Sequence, residues 1–120
     1  MSHGVFCMDV QDHLPLREAT FFILLSLATM PKHGYAIMKD AERLSDGRVT
    51  LSTSTLYGAI KRLLESGWIR RVEDESAEGN GRVKKEYELT DQGRRIFDAE
   101  VARLESIVTV ARETTAGARA

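Results

Sequence analysis

Between Phe21 and Met30 only Ser26 and Thr29 are polar, so the stretch 16–30 reads as a helix with no solvated face, covered on more than one side. Pro31 ends it. Residues 33–44 behave differently: Ile37, Ala41 and Leu44 recur at helical spacing on one face, and Asp46 with Gly47 closes the segment. A short extended stretch follows at 48–51. Ser52 is placed to cap a third helix over 53–66, which Gly67 stops. The period then changes from helical to two. Residues 68–73 and 83–89 read as strands joined by a polar loop containing Gly79, Asn80 and Gly81, with Val83, Lys85, Tyr87 and Leu89 sharing a face. Thr90 and Asp91 begin a last helix, expected to run to about residue 114, with 115–120 fraying. Residues 1–13 show no periodicity and are expected to form a loose arm.

The order helix, helix, short strand, helix, strand, strand is that of a winged helix-turn-helix domain, here spanning 14–89 and followed by a long C-terminal helix over 90–114. The expected fold class is therefore mainly α (α+β).

The third helix has two faces. At about 100° per residue, Leu56, Ile60, Leu63 and Leu64 gather on one side. Ser54, Gly58, Lys61 and Glu65 gather on the other, flanked by Tyr57 and Arg62. Hydroxyls, an aromatic ring and two cations on one exposed surface suit the DNA major groove. Lys61 and Arg62 would meet phosphates or guanine edges, Ser54 and Thr55 phosphate near the helix start, and Tyr57 backbone or a thymine methyl. A glycine inside a helix costs about 0.5–1 kcal/mol relative to alanine, so Gly58 implies a close approach, either of DNA or of the preceding helix.

Charge bears this out locally rather than globally. The 120 residues carry a net charge of −1, which decides nothing, but between Arg48 and Arg71 five cations (Arg48, Lys61, Arg62, Arg70, Arg71) face one acid, Glu65. In the wing Glu73, Asp74, Glu75 and Glu78 precede Arg82, Lys84 and Lys85, so the returning side is expected to approach DNA and the acidic side to face away. A protein-interaction module on the same fold is the rival reading; it would more naturally present an apolar or mixed third-helix face.

Catalysis finds little support. There is no Gly-rich phosphate loop, no nucleophile elbow, and no His or Cys cluster at metal-ligand spacing, so neither enzyme activity nor a cofactor or metal is expected. His3, His13 and His33 are scattered. The single cysteine, Cys7, excludes an intramolecular disulfide, and no stretch approaches the ~20 apolar residues that a bilayer requires. A cytoplasmic setting is expected, with no membrane partner.

Four segments, His33-Gly34-Tyr35-Ala36-Ile37, Leu51 through Leu63, Gly67-Trp68-Ile69 and Tyr87-Glu88-Leu89-Thr90-Asp91-Gln92-Gly93-Arg94, together resemble the motifs of PadR-like regulators over about residues 14–110. The resemblance implies homodimeric, commonly repressing regulators whose third helix enters the major groove. It also implies that Tyr35, Ser54, Thr55, Tyr57, Lys61 and the wing residue Arg82 lie at or near double-stranded DNA. Where the family often has Pro-Gly, this chain has Thr53-Ser54, so the sequence read at the operator is expected to differ.

In the last helix Phe97, Val101, Leu104, Val108 and Ala111 alternate steps of four and three, a coiled-coil seam widened by Ile96 and Ile107. With Phe22 of the overly apolar first helix, this stripe is the expected homodimer face, and two-fold symmetry implies a near-palindromic operator. The short C-terminal region is similar to the smaller PadR subgroup, some of whose members bind flat aromatic or drug-like effectors between subunits. Here the last helix has no tryptophan, and Phe21, Phe22 and Phe97 are the candidate pocket lining, with a core role the weightier reading of all three.

Overall fold

The structure is a computed structural model that describes residues 10–74 and 84–119. Helices α1 (Glu18–Leu27), α2 (Gly34–Leu44) and α3 (Thr53–Ser66) precede a two-stranded antiparallel sheet, β1 (Ile69–Asp74) and β2 (Lys84–Leu89), and a 29-residue helix, α4 (Asp91–Arg119). The hairpin register sets Ile69 against Leu89, Arg71 against Tyr87 and Glu73 against Lys85.

The expected caps form. Thr55 N–H donates to Ser52 Oγ at 3.2 Å, Gly67 closes α3 at φ +79°, and Gly93 N–H donates to Thr90 Oγ1 at 3.0 Å. Five expectations are corrected. Val10–His13 is a 3-10 turn rather than loose chain: Val10 packs on the core and His13 meets Trp68 edge to face, while residues 1–9 lie outside the described residues. Helix α1 is shorter than 16–30, because the N–H of Leu16 donates to a carboxylate of α4 and Lys32 is drawn into the sheet. Residues 48–51 form no strand. Instead Lys32 bridges Tyr87 through both backbone groups, at 3.0 and 2.9 Å. Finally α4 continues to Arg119 instead of fraying at 115, and Leu44 is 37% exposed at the end of α2.

Ile23, Leu24, Leu27, Ile37, Leu56, Ile60, Leu63, Ile69 and Ile96 make one core between the helices and the hairpin. Two ionic clusters hold its edges. Buried Glu100 on α4 accepts from Leu16 N–H at 3.0 Å and from Arg103 at 2.6 Å, and this guanidinium holds its carboxyl below the usual range. Between α1 and α2, the Lys32 ammonium donates to the Ser26 carbonyl at 2.6 Å and to Asp40. Asp40 also accepts from Ser26 Oγ at 3.1 Å and from Arg43 at 2.9 Å.

The hydrogen bond from Lys32, helped by those from Arg43 and Ser26, holds the Asp40 carboxyl down to about 2. A depressed carboxylate contributes stability that is present above its unfolded value, about 4, and lost as pH falls toward 2. Asp40→Asn is therefore expected to lower stability at neutral pH by on the order of 2 kcal/mol. It should also flatten the loss of stability between about pH 4 and 2 that the parent protein shows in acid-dependent melting. An unchanged acid profile would count against the network.

Candidate nucleic-acid interface

Helix α3 buries Leu56, Ala59, Ile60 and Leu63 and leaves the opposite face open. Ser54, Thr55, Lys61, Arg62 and Glu65 are exposed, Leu64 is half-buried, and Tyr57 keeps 46% of its surface. At the helix start the hydroxyls form a chain: Ser52 Oγ lies 3.4 Å from Ser54 Oγ and donates to Thr55 Oγ1 at 2.9 Å. A Cβ built on Gly58 would meet only Arg62 Nη1, at 3.8 Å. No neighbouring helix crowds it, so the close approach implied by this glycine has no partner among the described residues.

Tyr57 leans toward α2. Its ring lies over Gly34, whose missing Cβ would come within 2.8 Å of Tyr57 Cζ, so this glycine makes room for that ring. His33, just before α2, holds the hairpin: its Nδ1 is 3.1 Å from the Lys85 carbonyl and its Nε2 3.5 Å from Glu86. The result is a groove of ≈ 840 Å³ lined by Gly34, Tyr35, Tyr57, Arg71, Lys85 and Tyr87. Tyr35 is 65% exposed at its rim, with Lys39 Nζ 5.8 Å from the ring centroid.

Of the five cations between Arg48 and Arg71, two are engaged. Arg48 pairs with Glu18 at 2.7 Å and Arg70 with Glu88 at 2.5 Å. Lys61, Arg62 and Arg71 have no ion pair among the described residues. Arg71 belongs to the local basic patch read from the sequence but not to the expected DNA contacts, which in the wing are confined to the returning side. Its parity with Ile69, which faces the core, was the available signal. Arg82 lies outside the described residues, as does the side chain of Lys84.

On α4 the expected seam divides. Phe97 is buried and stacks on Phe21 at 5.3 Å, so it belongs to the protomer's own core and lines none of the surface grooves described. Val101 packs partly on the same core. From Leu104 to Ala118 every residue is exposed, including Leu104, Ile107, Val108 and Ala111. Two shallow grooves flank Leu104: Phe21, Val101 and Val108 line one, of ≈ 520 Å³, and Phe21, Phe22 and Arg103 the other, of ≈ 320 Å³. Among the described residues no helix is long and apolar enough to cross a membrane, and no group of three metal-ligating side chains occurs.

Known structures share this fold. A PadR family transcription regulator from Clostridium difficile superposes with a TM-score of 0.67 at 21% identity, covering 82% of this chain and 99% of that one. Bacillus subtilis PadR, solved in complex with operator DNA, gives 0.61 at 25% identity over 71% of this chain and 47% of that protein. A curated relative, an uncharacterized 37.1 kDa protein in transposon TN4556 of Streptomyces fradiae, is 33% identical over 83 residues, 69% of this chain, which spans 22% of that protein's length. Residues 23–99, from the buried face of α1 to the start of α4, match the transcriptional regulator PadR-like family, and the chain belongs to that family of regulators rather than to an enzyme family.

Proposed function

We propose that this protein is a sequence-specific DNA-binding regulator that acts as a homodimer, probing the major groove with α3 and the flanking backbone with the hairpin. The observation that carries the reading is the outward face of α3, where Tyr57, Gly58, Lys61 and Arg62 stand exposed or open beside a groove bearing Arg71 and Lys85. Ser54 and Thr55 at the helix start and Tyr35 at the rim extend it, and Arg82 and Lys84 of the wing complete the proposed contact set. That the Bacillus subtilis relative was solved with operator DNA supports the same partner. Repression, the habit of the family, is the proposed outcome of binding.

The homodimer reading rests on α4. A radius of gyration of 17.4 Å exceeds the roughly 14 Å expected of a compact 120-residue domain, because half of a ~43 Å helix projects beyond its own core. Leu104, Val108 and Ala111 on that projecting half, with Phe22 beside them, would be covered by a second copy, giving two α3 helices for a near-palindromic operator. The two grooves beside Leu104, with Phe21 and Phe22 in their walls, are the proposed place for a small aromatic effector.

Mobility shift of duplexes selected from a random pool, at two salt concentrations, tests the DNA reading. The parent is expected to prefer the selected duplex over a scrambled one, with salt-sensitive affinity, and Lys61→Ala with Tyr57→Ala to weaken it at least about tenfold. Equal, weak binding to both duplexes, untouched by the substitutions, would favour a protein partner for the same face.

A further inference from the structure

The wing groove meets α3 on one side only. Tyr57 faces it, and Arg62, five residues later, lies about 140° around the helix at about 100° per residue. There Arg62 lines a second groove, of ≈ 510 Å³, with Arg17, Thr20 and Trp68. Arg17 precedes α1 and lends it no side-chain cap.

The chemistry of this second groove is one-sided. Neither guanidinium has an ion pair among the described residues. The nearest acid in sequence, Glu18, is engaged with Arg48 at 2.7 Å, and Glu65 on α3 does not line the groove. Two guanidiniums lining one groove, with no acid in its wall, make it a positive site whose planar donors suit a phosphate. Trp68, 7% exposed, forms part of the same wall, and its Nε1 is a buried side-chain polar atom left without a partner among the described residues. Such an N–H is a donor only.

A helix about 10–12 Å across fills the ~12 Å major groove and is flanked by a sugar-phosphate backbone on each side. The wing groove can meet one of them. We infer that Arg17, together with Arg62, binds phosphate of the other backbone, so that the DNA footprint extends past α3 onto the entry to α1. This rests on the regulator reading above and adds to it a contact residue outside both the recognition helix and the wing.

Arg17→Ala tests it, since Arg17 is exposed and caps nothing, so the fold is left intact. On a duplex selected by the parent protein, the variant is expected to bind about tenfold more weakly, the effect of losing one charge-assisted hydrogen bond per site. The slope of log affinity against log salt should become shallower by about 1 per protomer, with equal loss on scrambled duplex and partial rescue by Arg17→Lys. Trp68 is the protein's single tryptophan, so its emission should respond to added duplex, and respond less in the variant. Unchanged affinity, slope and emission response, with Lys61→Ala still impaired, would overturn the Arg17 contact and leave the regulator reading standing. A loss confined to the selected duplex would overturn the phosphate assignment. Absence of selective binding by the parent itself would remove the regulator reading and this contact with it.

Discussion

Gly93→Ala is expected to lower the melting temperature by about 10 °C or more, corresponding to about 3 kcal/mol, the upper end of overpacking penalties. A Cβ at residue 93 would collide with the carbonyl oxygen of Trp68 and come within 2.9 Å of its carbonyl carbon and 3.2 Å of its Cα. These are backbone atoms, so no rotamer relieves the clash. Nor can the backbone move freely, because the Trp68 carbonyl accepts from Thr90 N–H at 3.0 Å and Thr90 Oγ1 donates to the Gly67 carbonyl at 2.6 Å. The two turns, one ending α3 and the other starting α4, are thus stitched together through Gly67, Trp68, Thr90 and Gly93. Thermal denaturation followed by circular dichroism checks the prediction; a loss below about 1 kcal/mol would mean that the junction yields more easily than its hydrogen bonds suggest.

Leu104→Glu combined with Val108→Glu is expected to act in the opposite sense, sparing the protomer and abolishing its assembly. Both side chains are substantially exposed, at 38% and 47%, so charging them costs the protomer's own core little. Across a two-fold interface, however, each glutamate would face an apolar stripe or its own symmetry mate, which costs burial and like-charge repulsion together. Light scattering should show the mass halved relative to the parent. DNA affinity should fall by about 100-fold or more, since a dimer binds its second half-site at the high effective concentration set by the first. A parent that already scatters as a monomer would refute the homodimer reading directly.

The elements of the fold were legible because each is written in local chemistry. Amphipathic spacing marks α2 and α3, Ser52, Gly67 and Thr90 mark helix ends, and alternation marks the hairpin. The polar face of α3 was legible for the same reason: helical geometry alone sets Ser54, Gly58 and Lys61 opposite Leu56, Ile60 and Leu63. Local pattern also fixed the limits of what could be read. The stretch 48–51 looked extended but has no strand to pair with, whereas Lys32, in a turn beside Pro31, found one in Tyr87.

Pairing and sidedness came only from tertiary structure, because they depend on residues far apart in sequence. Arg48 and Arg70 look equivalent to Arg62 and Arg71 along the chain, yet the first two pair with Glu18 and Glu88 and the others have no ion pair among the described residues. Phe97 fits a coiled-coil seam by spacing, but the position of α1 turns it onto Phe21 and into the protomer's core. Gly93 and Gly58 are alike as letters in a helix. One is required by a carbonyl 25 residues earlier in the chain, whereas a Cβ on the other would meet nothing among the described residues beyond Arg62. Hydrophobic period and caps are properties of neighbours in sequence, and so the chain alone determines them; which charges remain free, which apolar residues remain uncovered and why a glycine is needed are properties of neighbours in space.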